Sequence, residues 1–121
     1  ESYLKSGVNV ALGTDSLASN PDLSVLEEAR WLHRSHPHLG AAQVLRFVTI
    51  NGAQALGWRE QVGSLSRGKF ADWIAIPLEA KFHDQPERGV LESDAEVSMF
   101  CIHGTTTQQE VSRATTAKCP R

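Results

Sequence analysis

Val8-Asn9-Val10-Ala11-Leu12-Gly13-Thr14-Asp15-Ser16 is the stretch on which the expected fold turns. Its first half is apolar apart from Asn9, carries the β-branched Val8 and Val10, and lies between Gly7 and Gly13, the pattern of a short buried strand. Gly13 to Asn20 is loop by composition, so Asp15 is predicted to stand just beyond the C-terminal end of that strand. In α/β barrels this edge is where catalytic side chains gather. Upstream, Tyr3-Leu4-Lys5-Ser6 running into Gly7 reads as the last turn of a helix, stopped by a residue that takes the left-handed conformation at little steric cost. The chain opens like an element already under way, which leads us to expect a fragment of a longer protein.

Outward from this stretch the pattern turns helical. Asn20-Pro21 offers an N-cap with proline in the first turn, and a helix is expected over Pro21 to Ser35, with Val25, Leu26, Ala29, Leu32 and His33 on one face and Glu27, Arg30 and Arg34 largely on the other. Pro37 and Gly40 end it. A second helix is expected from Ala41 to Leu56, stopped by Gly57. Beyond the turn-like Ser66-Arg67-Gly68-Lys69 the signal becomes β: Ala71 to Ile76 and Val97 to Ile102 read as strands, with a short third one near Gln109 to Val111. Lys81 to Asp94, polar and holding Pro86 and Gly89, is expected to be loop, and the last residues to fray.

With 121 residues, 40% of them hydrophobic and 21% charged, and a formal net charge of −2, the chain has the composition of one globular domain. No apolar run approaches the roughly 18 to 20 residues of a membrane span, and no basic stripe is available to track a phosphate backbone. Neither a membrane nor a nucleic acid is expected as partner, and a cytoplasmic location is expected. Cys101 and Cys119 read as free thiols.

Gly13-Thr14-Asp15-Ser16 resembles the end of the last barrel strand in the amidohydrolase superfamily. Asn51-Gly52-Ala53-Gln54-Ala55-Leu56-Gly57 is similar to that family's NxAxxLG helix end, and Gly63 to Asp72 to its GxLxxGKxAD turn into a small β-domain. The three matches come in order and cover about Gly7 to Pro77. The acidic helix after Asn20 looks like the branch that deaminates adenine-type nucleosides, including S-adenosylhomocysteine and aminodeoxyfutalosine. The fold implied is α/β: residues 1–57 as the last strand and C-terminal helices of a (β/α)8 TIM-type barrel, 58–112 as strands of a composite β-sandwich, and 113–121 as a polar tail.

The resemblance implies that Asp15 approaches a catalytic metal, zinc or another divalent ion such as iron, and handles the proton of the attacking water. The chemistry suits a carboxylate, because a metal lowers the pKa of bound water from about 15.7 towards about 7 and a neighbouring carboxylate can carry the proton away. Asp15 could instead cap its own turn. Ser16 is the candidate substrate contact; Ser16, Ser19 and Asn20 are equally suited to local hydrogen bonding or capping. Asp72 fits a turn-ordering role. His33, His36 and His38 lack the same-face spacing of a ligand pair and read as histidines near the negative end of a helix.

The family's HxH pair, two later histidines and catalytic Glu have no counterparts here, and one carboxylate cannot hold a catalytic zinc, which takes three protein ligands and a water. The isolated chain is therefore expected to be inactive. The implied substrate is a small molecule, a purine nucleoside, and a homo-oligomer is open. Two other readings stand beside the deaminase: a cyclic-amide hydrolase or triazine-type chlorohydrolase, since fold does not set substrate, and a non-catalytic interaction module built from a truncated amidohydrolase.

Overall fold

A computed structural model describes residues 2–18 and 22–108 of the chain. A short helix, α1 (Ser2–Lys5), leads into a segment without regular secondary structure, residues 8–16, that joins no β-ladder among the described residues. The burial expected of Val8 to Leu12 is not found here, where Val8 is 52% exposed and no strand pairs with the segment among the described residues.

The helical layer follows as α2 (Val25–Ser35), α3 (Ala41–Val48), α4 (Ile50–Ala55) and α5 (Pro86–Glu92). The expected Asn20-Pro21 cap lies outside the described residues, and α2 is helical only from Val25. There the Ser24 side chain accepts the Glu27 N–H at 3.3 Å, while Asp22 Oδ1 accepts the Ser24 N–H at 2.8 Å. The single helix expected over Ala41 to Leu56 is two helices. Thr49 takes φ −121° and ψ −99°, and its hydroxyl donates to the Leu45 carbonyl at 2.7 Å, a back-bond that competes with the helical ladder.

Ala29 of α2, Val44 of α3 and Leu91 of α5 are fully buried at the centre of this layer, with Leu12, Leu32, Leu45 and Val48 packed around them. Burying one Val or Leu completely contributes about 1.5–3 kcal/mol. Leu91 belongs to a stretch expected to be loop. Residues 81–94 instead hold the end of a 3-10 turn (Ala80–Phe82) and all of α5, because Pro86 starts the helix at a position where no N–H is needed and Leu91 has a core to enter.

A further correction concerns Arg30, expected on the polar face of α2 but only 3% exposed. Its guanidinium donates to the carbonyls of Val90 at 3.0 Å and Ala95 at 2.7 Å and pairs with Glu27 at 2.6 Å. Since α5 covers that flank, the buried arc of α2 is wider than its apolar stripe.

Three short strands form an antiparallel sheet in the order β1 (Trp73–Ala75), β2 (Met99–Ile102), β3 (Thr105–Gln108). Trp73 pairs with Cys101, and Ile102 with Thr105. The β2–β3 turn places His103 at φ 51° and Gly104 at φ 77°, the two left-handed residues of a tight hairpin. The strand expected near Gln109 to Val111 lies outside the described residues.

Candidate functional site

Residues 8–16 gain their placement from the break between α3 and α4. A continuous helix would commit the Phe47 carbonyl to the N–H of Asn51; here it accepts the N–H of Leu12 at 3.1 Å. The Asn51 side-chain amide donates to the Val10 carbonyl at 2.9 Å, and the Asn9 amide donates to the Asn51 carbonyl at 3.0 Å. Gly13 and Thr14 come next and line a cleft of about 1070 Å³ whose other walls include Ala53 and Leu56 near α4 and Trp73 and Phe100 of the sheet. Asp15 and Ser16 follow at solvent-exposed positions.

The far wall is set by close packing. Gly63, at φ +87°, lies so near α4 that an added Cβ would stand 2.7 Å from Ala53 Cβ and 3.0 Å from Ile50 Cα. The loop ahead of β1 is held by Lys69, whose ammonium donates to the carbonyls of Arg59 and Val62. Asp72 accepts the N–H of His103 at 2.7 Å, so the turn it orders is the β2–β3 hairpin.

Asp15 and Ser16 stand together at the end of the segment 8–16, as the sequence orders them. The histidines are placed otherwise. His33 Nε2 lies 3.4 Å from Glu92, linking α2 to α5, while His36 meets Trp31 and His38 through ring contacts at exposed positions. Among the described residues, no group of three or more His, Cys, Asp or Glu side chains is arranged to hold a metal ion. Cys101 is buried and unpaired; Cys119 lies outside the described residues.

The resolved electrostatic shifts belong to α5. Arg88 donates to both carboxylate oxygens of Glu92, at 2.8 and 3.2 Å. That bond holds the Glu92 carboxyl below its ordinary range and raises the guanidinium of Arg88 further. The asparagine latch was not visible as such in the sequence; Asn51 opens a recognisable motif, but its partner carbonyl lies 41 residues away.

The Amidohydrolase family model matches residues 1–107. A 5-methylthioadenosine/S-adenosylhomocysteine deaminase of Acetivibrio thermocellus is 40% identical over 86 residues, which are 65% of this chain and 20% of that protein. The crystal structure of an adenosine deaminase from Xanthomonas campestris with bound zinc superposes with a TM-score of 0.71 at 33% identity, covering 85% of this chain and 26% of that one. A triazine hydrolase variant superposes with a TM-score of 0.69 at 26% identity, with coverages of 86% and 26%. The chain thus spans only a fifth to a quarter of the length of these relatives.

Proposed function

This chain belongs to the amidohydrolase family, and from that premise we propose that it supplies one wall and one catalytic carboxylate of a hydrolytic deaminase acting on adenine-type nucleosides. Residues 1–57 correspond in this reading to the last strand and closing helices of a (β/α)8 barrel, 58–112 to strands of the small β-domain, and 113–121 to a polar tail. The observation that carries it is the position of Asp15, exposed and directly after Ala11 to Thr14, which line the cleft. The deaminase names of the relatives favour a 6-aminopurine nucleoside as substrate, and the enzyme is proposed to work in the cytoplasm.

A divalent metal, zinc or iron, would supply an activated water. The described residues do not by themselves fit such a centre. Asp15 is one candidate ligand, whereas a catalytic zinc takes three protein ligands and a water, and no group of three is present among them. The remaining ligands would have to come from elsewhere in the enzyme. Asp15's own part is proton transfer: its carboxylate takes a proton as water adds to the purine C6 and returns it to the departing amino group, so that ammonia leaves and a 6-oxopurine remains. Ser16, adjacent and exposed, is the proposed substrate contact.

The test is a joined enzyme in which this chain replaces the matching segment of the Acetivibrio deaminase. Loss of adenine absorbance with ammonia release from S-adenosylhomocysteine or a 5′-thio analogue is expected. Inactivity on all such nucleosides, with folding intact, overturns the substrate reading. The structural match to a triazine hydrolase makes an aminotriazine the second substrate to assay.

A further inference from the structure

We infer that Asn51, paired with Asn9, is a positioning residue that sets where Asp15 stands; the inference rests on the proton-transfer role proposed for Asp15. Three hydrogen bonds tie residues 9–12 to the α3–α4 break, Leu12 N–H to Phe47 O, Asn51 Nδ2 to Val10 O, and Asn9 Nδ2 to Asn51 O, and Leu12 also packs on the helical core. Asn51 takes part in two of them, once through its side chain as donor and once through its backbone as acceptor. Asparagine is suited because an amide supplies the N–H that the Val10 carbonyl needs, whereas a carboxylate of the same shape would present a second acceptor and repel it. Only Gly13 and Thr14 separate the latched Leu12 from Asp15, so slack at the latch is passed to the carboxylate. A displacement of about 1 Å at a reacting group costs about 10²-fold in rate.

The experiment compares Asn51→Asp and Asn9→Ala with the unsubstituted joined enzyme. For Asn51→Asp, amide hydrogen exchange over residues 10–16 is expected to rise at least about tenfold while kcat falls about 10- to 100-fold and KM stays within about threefold. Asn9→Ala, which leaves α4 untouched, should move both quantities the same way by about three- to tenfold, and it decides the matter should Asn51→Asp fail to fold. Unchanged exchange, or raised exchange with unchanged kcat, overturns the inference. A joined enzyme that deaminates nothing overturns the reaction instead, and the exchange measurement then decides the latch alone.

Discussion

Arg30 carries a full charge at 3% exposure because three acceptors surround it: the carbonyls of Val90 and Ala95 and the carboxylate of Glu27. Replacing it by Met keeps much of the volume and leaves the two carbonyls short of a donor, so Arg30→Met should destabilise the protein by about 3 kcal/mol, read from a urea midpoint. Asp15 is the opposite case, exposed and proposed to act in the chemistry rather than in packing. In the joined enzyme Asp15→Asn should lower kcat by at least about 10²-fold with the melting temperature nearly unchanged, since Asn keeps the shape and the turn but loses the basicity. Near-normal turnover would remove Asp15 from the mechanism. Sequence alone separated these residues wrongly in one respect. Periodicity put Arg30 on the water-facing side of α2, because a helical stripe counts apolar residues and does not register a second helix, α5, arriving on the flank.

The helix α5 has its own acid-sensitive support. Arg88 holds Glu92 in its charged form, so the folded carboxyl titrates below its ordinary value near 4.5. A carboxyl depressed on folding adds stability that is fully present above the ordinary value and is lost as the pH falls through the folded one. Glu92→Gln should therefore cost less than about 1 kcal/mol near neutrality, as expected of an exposed pair, and less again in acid, once the pH has fallen through the folded value. Urea midpoints at the two pH values check this, and a cost that persists in acid would assign Glu92 a packing role instead. The same helix shows why elements were unevenly legible. Pro86 and Gly89 read as loop residues, yet Pro86 opens the helix and Gly89 lets Phe82 and Leu78 approach where a Cβ would stand 2.8 and 2.9 Å from them. Residues 8–12 show the opposite limit: strand composition is local, but a ladder needs a partner, and none pairs with them among the described residues, as the sequence, which offers no neighbouring strand, leads one to expect. The β1 and β2 strands were found because each finds its partner within the chain.

At the scale of the molecule, the buried apolar centre is small and the uncovered apolar surface is large. Fully buried Ala29, Val44 and Leu91 form the helical core, while Leu56 at 71% and Leu65 at 78% exposure line a cleft of about 1070 Å³, and Trp58 is 61% exposed. Contiguous apolar surface beyond a few hundred Å² favours association, and a short chain buries too little of its own surface to offset that. We predict that the 121-residue chain expressed alone self-associates, with a sedimentation coefficient that rises with concentration and a broad melt. Joined to the rest of a family barrel, it should instead behave as part of one cooperative unit, because the same side chains would then be covered. A compact monomer with a sharp melt would show that the cleft and its apolar rim are tolerated in water. That outcome would count for a free-standing interaction module, and against the reading in which this surface closes on a barrel.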